Sequence, residues 1–159
     1  MGVGLLSSDK FDYSLDFDNT DFRESPHLYR VGKGEQGVLM VQPYKAEILP
    51  HWRFKNEEVA RESSEKIYAL FLGYRKADEF IGMDMARKFL QMGYTRARRY
   101  ANHKSGKKYD EDRKVRPQDP EALDGEKARA ARVFYDKYVL AREDGHYKKR
   151  RMEWVEKLG

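Results

Sequence analysis

The chain contains no cysteine. Disulfide scaffolds, thiol catalysis and zinc–thiolate centres are therefore excluded. Histidine is scarce as well. His27, His51, His103 and His146 are scattered and form no H-x-x-x-H pair, so no metal site and no cofactor is expected. Long apolar runs are also missing. The longest, 68–74 (YALFLGY), falls far short of the ~20 residues that cross a bilayer, so no membrane partner is expected. The N-terminus has no basic segment followed by an apolar stretch, and Met1-Gly2 lacks the Ser or Thr at position 6 of an N-myristoylation start. The expected setting is the cytoplasm.

Charge is what the chain has in plenty. Thirty-two Lys and Arg stand against twenty-seven Asp and Glu, a net +5, and charged residues make up 37%, well above the ~25% of an ordinary soluble domain. Eleven Tyr, eight Phe and two Trp supply large groups to bury, which argues against disorder. A length of 159 residues suits one domain. The charge is unevenly spread. Six acids oppose Lys10 and Arg23 over 1–28, whereas eleven bases oppose three acids over 87–116. The expected organisation is an acidic arm over 1–27 and a single domain over 28–159.

Within that domain the expected class is α+β, mostly helical: a small N-terminal β-hairpin packed against three or four helices. The hairpin is placed at 28–54. Two short extended runs, 28–31 and 38–41, flank a glycine cluster, and Pro43 and Pro50 confine any strand beside them to an edge. Helices are expected at about 57–75, 78–102, 120–143 and 146–158. Asn56 is a good N-cap with Glu57 and Glu58 behind it, and Asp119-Pro120 resembles a cap followed by proline in the first turn. Ala86, Phe89, Leu90, Gly93, Ala97, Tyr100 and Ala101 share the inner face of the second helix, where the small residues invite close approach, and Ala131, Phe134, Tyr135, Tyr138 and Val139 are placed inward on the third.

Two motifs resemble catalytic signatures and lack their context. Gly32-Lys33-Gly34-Glu35-Gln36-Gly37 matches G-x-G-x-x-G. It opens a strand-like run rather than the helix that a dinucleotide fold needs, so a turn with positive φ is the expectation. Asp16-Phe17-Asp18-Asn19-Thr20 carries a phosphatase-like D-x-D-x-T, but no apolar strand precedes it and no Gly follows at calcium-loop spacing.

The strongest signal is the second helix and the loop after it. Arg87, Gln91, Thr95, Arg98 and Asn102 are spaced to lie in one line opposite the apolar stripe. Lys88 and Arg99 widen it on one side, Arg96 and His103 on the other, and Lys104, Lys107 and Lys108 follow. Guanidinium forks and ammonium groups suit phosphate. Tyr94, Tyr100 and Tyr109 are interleaved and could stack on unpaired bases. The last helix adds Lys148, Lys149, Arg150 and Arg151.

Four segments resemble a family of small uncharacterised proteins from bacteria and their phages, cyanophages among them: 11–15 (FDYSL), 28–38 (LYRVGKGEQGV), 47–55 (EILPHWRFK) and 85–104 (MARKFLQMGYTRARRYANHK). That family is catalogued only as a domain of unknown function. The resemblance implies one domain in a bacterial or phage-infected cell, and no catalytic residue. The residues themselves lead to a non-enzymatic binder of nucleic-acid phosphates with little sequence choice, using Arg87, Lys88, Arg96, Arg98, Arg99, His103, Lys104, Lys107 and Lys108. The alternatives are an interaction module for an acidic protein partner, or a small phosphoryl-transfer or nuclease-like enzyme using His103. Oligomeric state has no signature in the sequence.

Overall fold

The computed structural model describes residues 11–103, 109, 111–114 and 125–158. Among the described residues five α-helices carry the fold: α1 Tyr44–Ile48, α2 Glu57–Lys76, α3 Phe80–Asn102, α4 Glu126–Arg142 and α5 Gly145–Leu158. Helix α2 starts where its sequence says it should. The Asn56 side chain accepts from the Val59 amide at 2.9 Å, Glu57 and Glu58 face the positive end of the dipole, and Arg75 and Lys76 the negative end. Helix α4 begins behind Gly125 in an extended conformation; the expected Asp119-Pro120 start lies outside the described residues.

Helices α2, α3 and α4 pack against one another, with α3 central, and α1 and α5 flank them. Ile67 and Phe71 of α2, Phe89 and Leu90 of α3 and Phe134 of α4 are fully buried. The small residues of α3 permit this closeness. A Cβ on Gly93 would lie 2.4 Å from the Phe134 ring. Gly93→Ala is expected to lower stability by about 1–3 kcal/mol from overpacking, more than the roughly 1 kcal/mol that alanine gains in a helix. Urea unfolding measures the balance, and an unchanged or higher midpoint would refute the packing argument.

The β-hairpin is not there, and the class is all-α rather than α+β. No β-strand occurs among the described residues. Residues 34–40 are a succession of turns, closed by amide bonds from Gln36 to Lys33, Val38 to Glu35 and Met40 to Gly37. Gly32, Gly34 and Gly37 have φ of 70°, 55° and 78°, so the cluster does need left-handed backbone, but to coil the chain rather than to pair strands. Val31, Val38 and Val41 are buried, which accounts for the extended-looking pattern: β-branched residues mark burial as readily as strands. The carbonyls of Val31 and Gln36, which a ladder would have occupied, each accept from Lys88 Nζ at 2.7 Å.

Residues 11–28 share the same core. Phe11 and Phe22 are buried, while Asp16, Asp18, Asp21 and Glu24 between and after them are exposed. Arg23 fastens the segment down, donating from Nε to Glu79 at 2.6 Å and from both terminal nitrogens to Glu47 at 2.8 and 3.0 Å.

Candidate nucleic-acid interface

Helix α3 changes character along its length. Every residue from 81 to 90 is buried, because the N-terminal coil and α5 cover the face that α2 and α4 leave open. Arg87 and Lys88 therefore belong to the interior, at 6% and 0% exposure. They gather around Asp84, which is fully buried. Arg87 Nη2 meets the carboxylate at 2.6 Å, Lys88 Nζ lies 3.6 Å from it, and the Tyr29 and Tyr147 hydroxyls both donate to it. Arg87 also donates to the Tyr147 hydroxyl at 2.9 Å, to the Gly34 carbonyl at 2.6 Å and to Gln91 at 2.9 Å. Burial raises the Asp84 pKa, but the charges of Arg87 and Lys88 and the two hydroxyls outweigh it and hold the carboxyl below the usual range. Lys88 is pushed down to about 8 by burial, against the pull of Asp84. Burial and the neighbouring carboxylate both push the Tyr29 and Tyr147 hydroxyls up.

The other expected contacts divide differently. Arg96 and Arg99 are exposed on the last turns of α3. Arg98 is half-buried and donates to Asn102 from Nε at 3.1 Å and from Nη2 at 2.9 Å. His103 is buried. His51 lines a separate shallow cleft with Arg53, Glu62 and Lys66. Lys104, Lys107 and Lys108 lie outside the described residues.

The structure adds cations that the pattern of α3 does not announce. A cleft of about 390 Å³ has Arg87 and Gln91 among its lining, with Arg142 from the end of α4 and Lys148 and Arg151 from α5. The turn at Gly34 forms another wall, and Glu143 is the one carboxylate among the lining residues. Glu143 accepts from Arg142 at 2.8 Å and from Lys148 at 3.3 Å, and these two bonds hold its pKa down. Arg151 has no ion-pair or hydrogen-bond partner among the described residues. A second cleft of about 240 Å³, lined by Tyr94 and Arg98 of α3 and Arg132 and Tyr135 of α4, lies further along the same helix pair. The run Lys148-Lys149-Arg150-Arg151 pointed to α5, whereas Arg132 and Arg142 carried no signal, being isolated bases on an otherwise mixed helix. Tyr135 and Tyr138 read as inward residues, yet Tyr135 is 39% exposed.

Among the described residues no three His, Asp or Glu side chains gather where they would hold a metal, and no helix is long and apolar enough to cross a membrane. What fold and surface define is an all-helical domain with a cation-lined groove between α3, α4 and α5. A family model described as "Domain of unknown function (DUF4385)" matches residues 12–157, and the chain belongs to that family. No curated protein and no solved structure matches the chain.

Proposed function

We propose that this protein binds nucleic acid through the phosphate backbone, with little sequence choice and without catalysis, in the cytoplasm of a bacterial or phage-infected cell. The observation that supports the reading is the convergence of Arg87, Arg142, Lys148 and Arg151 on one cleft, with Glu143 the single carboxylate in its lining among the described residues. Arg87 is paired with Asp84 beneath the cleft, and Arg142, Lys148 and Arg151 against Glu143 leave a positive field in a concave surface, which attracts polyanions and speeds their association. Among the described residues Arg151 has its donors free of protein partners, and bidentate guanidinium–phosphate pairing is the contact it is built for. Arg96 and Arg99 add exposed charge at the far end of α3. Arg87 enters as part of the cleft floor rather than as a ridge, since most of its donors are already occupied by Tyr147, Gly34, Gln91 and Asp84.

The test is binding of labelled single- and double-stranded DNA and RNA at 50 and 200 mM salt. Neutralising about four phosphates predicts an affinity loss of about 100-fold across that range for duplex DNA. The double variant Arg142→Glu and Arg151→Glu changes only surface groups, and is expected to weaken binding at least tenfold at low salt. Absence of binding to every nucleic acid at low salt would overturn the reading.

A further inference from the structure

Three tyrosines join the two clefts. Tyr94 of α3 and Tyr135 of α4 have ring centroids 5.0 Å apart, and Tyr138 lies one turn further along α4, 6.2 Å from Tyr135. Cations stand at both ends of this file. Arg98 and Arg132 line the cleft beside Tyr94 and Tyr135. Arg142 lies 5.1 Å over the Tyr138 ring, with Lys148 and Arg151 sharing its cleft. Along α4, positions 132, 135, 138 and 142 fall within about a third of the helix circumference, and at ~1.5 Å per residue they cover about 15 Å.

We infer that this file of tyrosines is a stacking platform for unpaired bases, so that the groove takes single-stranded nucleic acid in preference to duplex. The inference rests on the phosphate-binding reading and sharpens it. Rings serving only to cement α3 to α4 would be closed off like Phe134, which is fully buried, whereas Tyr135 is 39% exposed. A duplex keeps its bases paired inside the helix and would engage the arginines alone. A single strand offers both chemistries at once: phosphates for the cations at each end and π-faces for the rings between them. At the ~3.4 Å rise of stacked nucleotides, a groove of about 15 Å accommodates about four of them.

The experiment compares the full chain with Tyr135→Ala and Tyr135→Phe, titrating each against a fluorescent thymidine oligomer of about ten nucleotides and against a duplex of equal length. Parent protein is expected to favour the single strand. Tyr135→Ala is expected to lose about tenfold to 100-fold in single-strand affinity, with duplex affinity unchanged, while Tyr135→Phe, which keeps the ring, binds like the parent. Unchanged duplex binding by Tyr135→Ala doubles as proof that the variant is folded. Equal affinity for both ligands, or equal losses for both in Tyr135→Ala, overturns the stacking platform and leaves the phosphate groove standing. Failure of the parent to bind either ligand overturns both.

Discussion

Asp84→Asn is expected to lower the stability of this protein by about 3–5 kcal/mol, read as a lower urea midpoint at unchanged slope. The substitution keeps the shape of the side chain and removes its charge. Arg87 and Lys88, both buried, then face each other without a counter-ion, and taking an uncompensated charge out of water is among the most destabilising changes a single residue can make. Against a typical total of 5–15 kcal/mol the loss is large. An exposed pair such as Arg61–Glu57, at 3.3 Å on the surface of α2, is expected to contribute less than ~1 kcal/mol. A loss of under ~1 kcal/mol for Asp84→Asn would mean that water reaches the cluster. The carboxyl is held below its ordinary range in the folded state. Its stabilisation is therefore complete above pH ~4 and disappears as the pH falls through the folded value. The acid limb of the stability curve is accordingly expected to be shallower in the variant.

Lys88→Met carries the second large effect. The ammonium donates to the Tyr29 hydroxyl at 2.9 Å and to the carbonyls of Val31 and Gln36 at 2.7 Å. Methionine matches its bulk but leaves two backbone acceptors unsatisfied in the interior. The expected cost is about 2–4 kcal/mol at pH 7, since each stranded group costs about 1–3 kcal/mol and the desolvated charge is relieved in return. The pH dependence identifies the residue. A folded-state pKa of about 8 lies below the ordinary ~10.4 of lysine, so between those values the unfolded chain binds more protons. Stability then rises with pH across that window, by at most about 1.4 kcal/mol per unit. The raised tyrosines act only above pH ~10, where they oppose the trend. Chemical denaturation between pH 7.5 and 9.5 should show the rise in the parent and none in Lys88→Met. A flat parent profile would mean that Lys88 stays charged across the window.

Helices α2, α3 and α5 were legible because their signals are local. Asn56 followed by two glutamates, and apolar residues at 60, 67, 71 and 74, define α2 without reference to anything else in the chain. Gly93 announced a close crossing, and Phe134 supplies the partner. The segment 28–41 misled for a physical reason. Its valines are buried as strand residues would be, but the carbonyls of Val31 and Gln36 are satisfied by a lysine more than fifty residues away, and no local pattern encodes that. Helical spacing placed Arg87 and Lys88 opposite the stripe that faces α2 and α4, as the wheel demands. It could not say that a second layer, the N-terminal coil and α5, covers that opposite face over the first three turns.

The sequence by itself determined that this is a helix-rich, basic chain without thiol chemistry, where α2 and α3 run, and that the glycine cluster at 32–37 needs positive φ. These follow from caps, periodicity, composition and the steric limits on φ, all of which act over a few residues. Only the tertiary structure decided which cations are ligands for the protein itself and which stay at its surface. It sank Arg87 and Lys88 around Asp84, left Arg96 and Arg99 outside, and brought Arg142 and Arg151 to one cleft with an exposed Tyr135 beside it. A charge acquires its role from what covers it, and covering is a property of elements far apart in the chain.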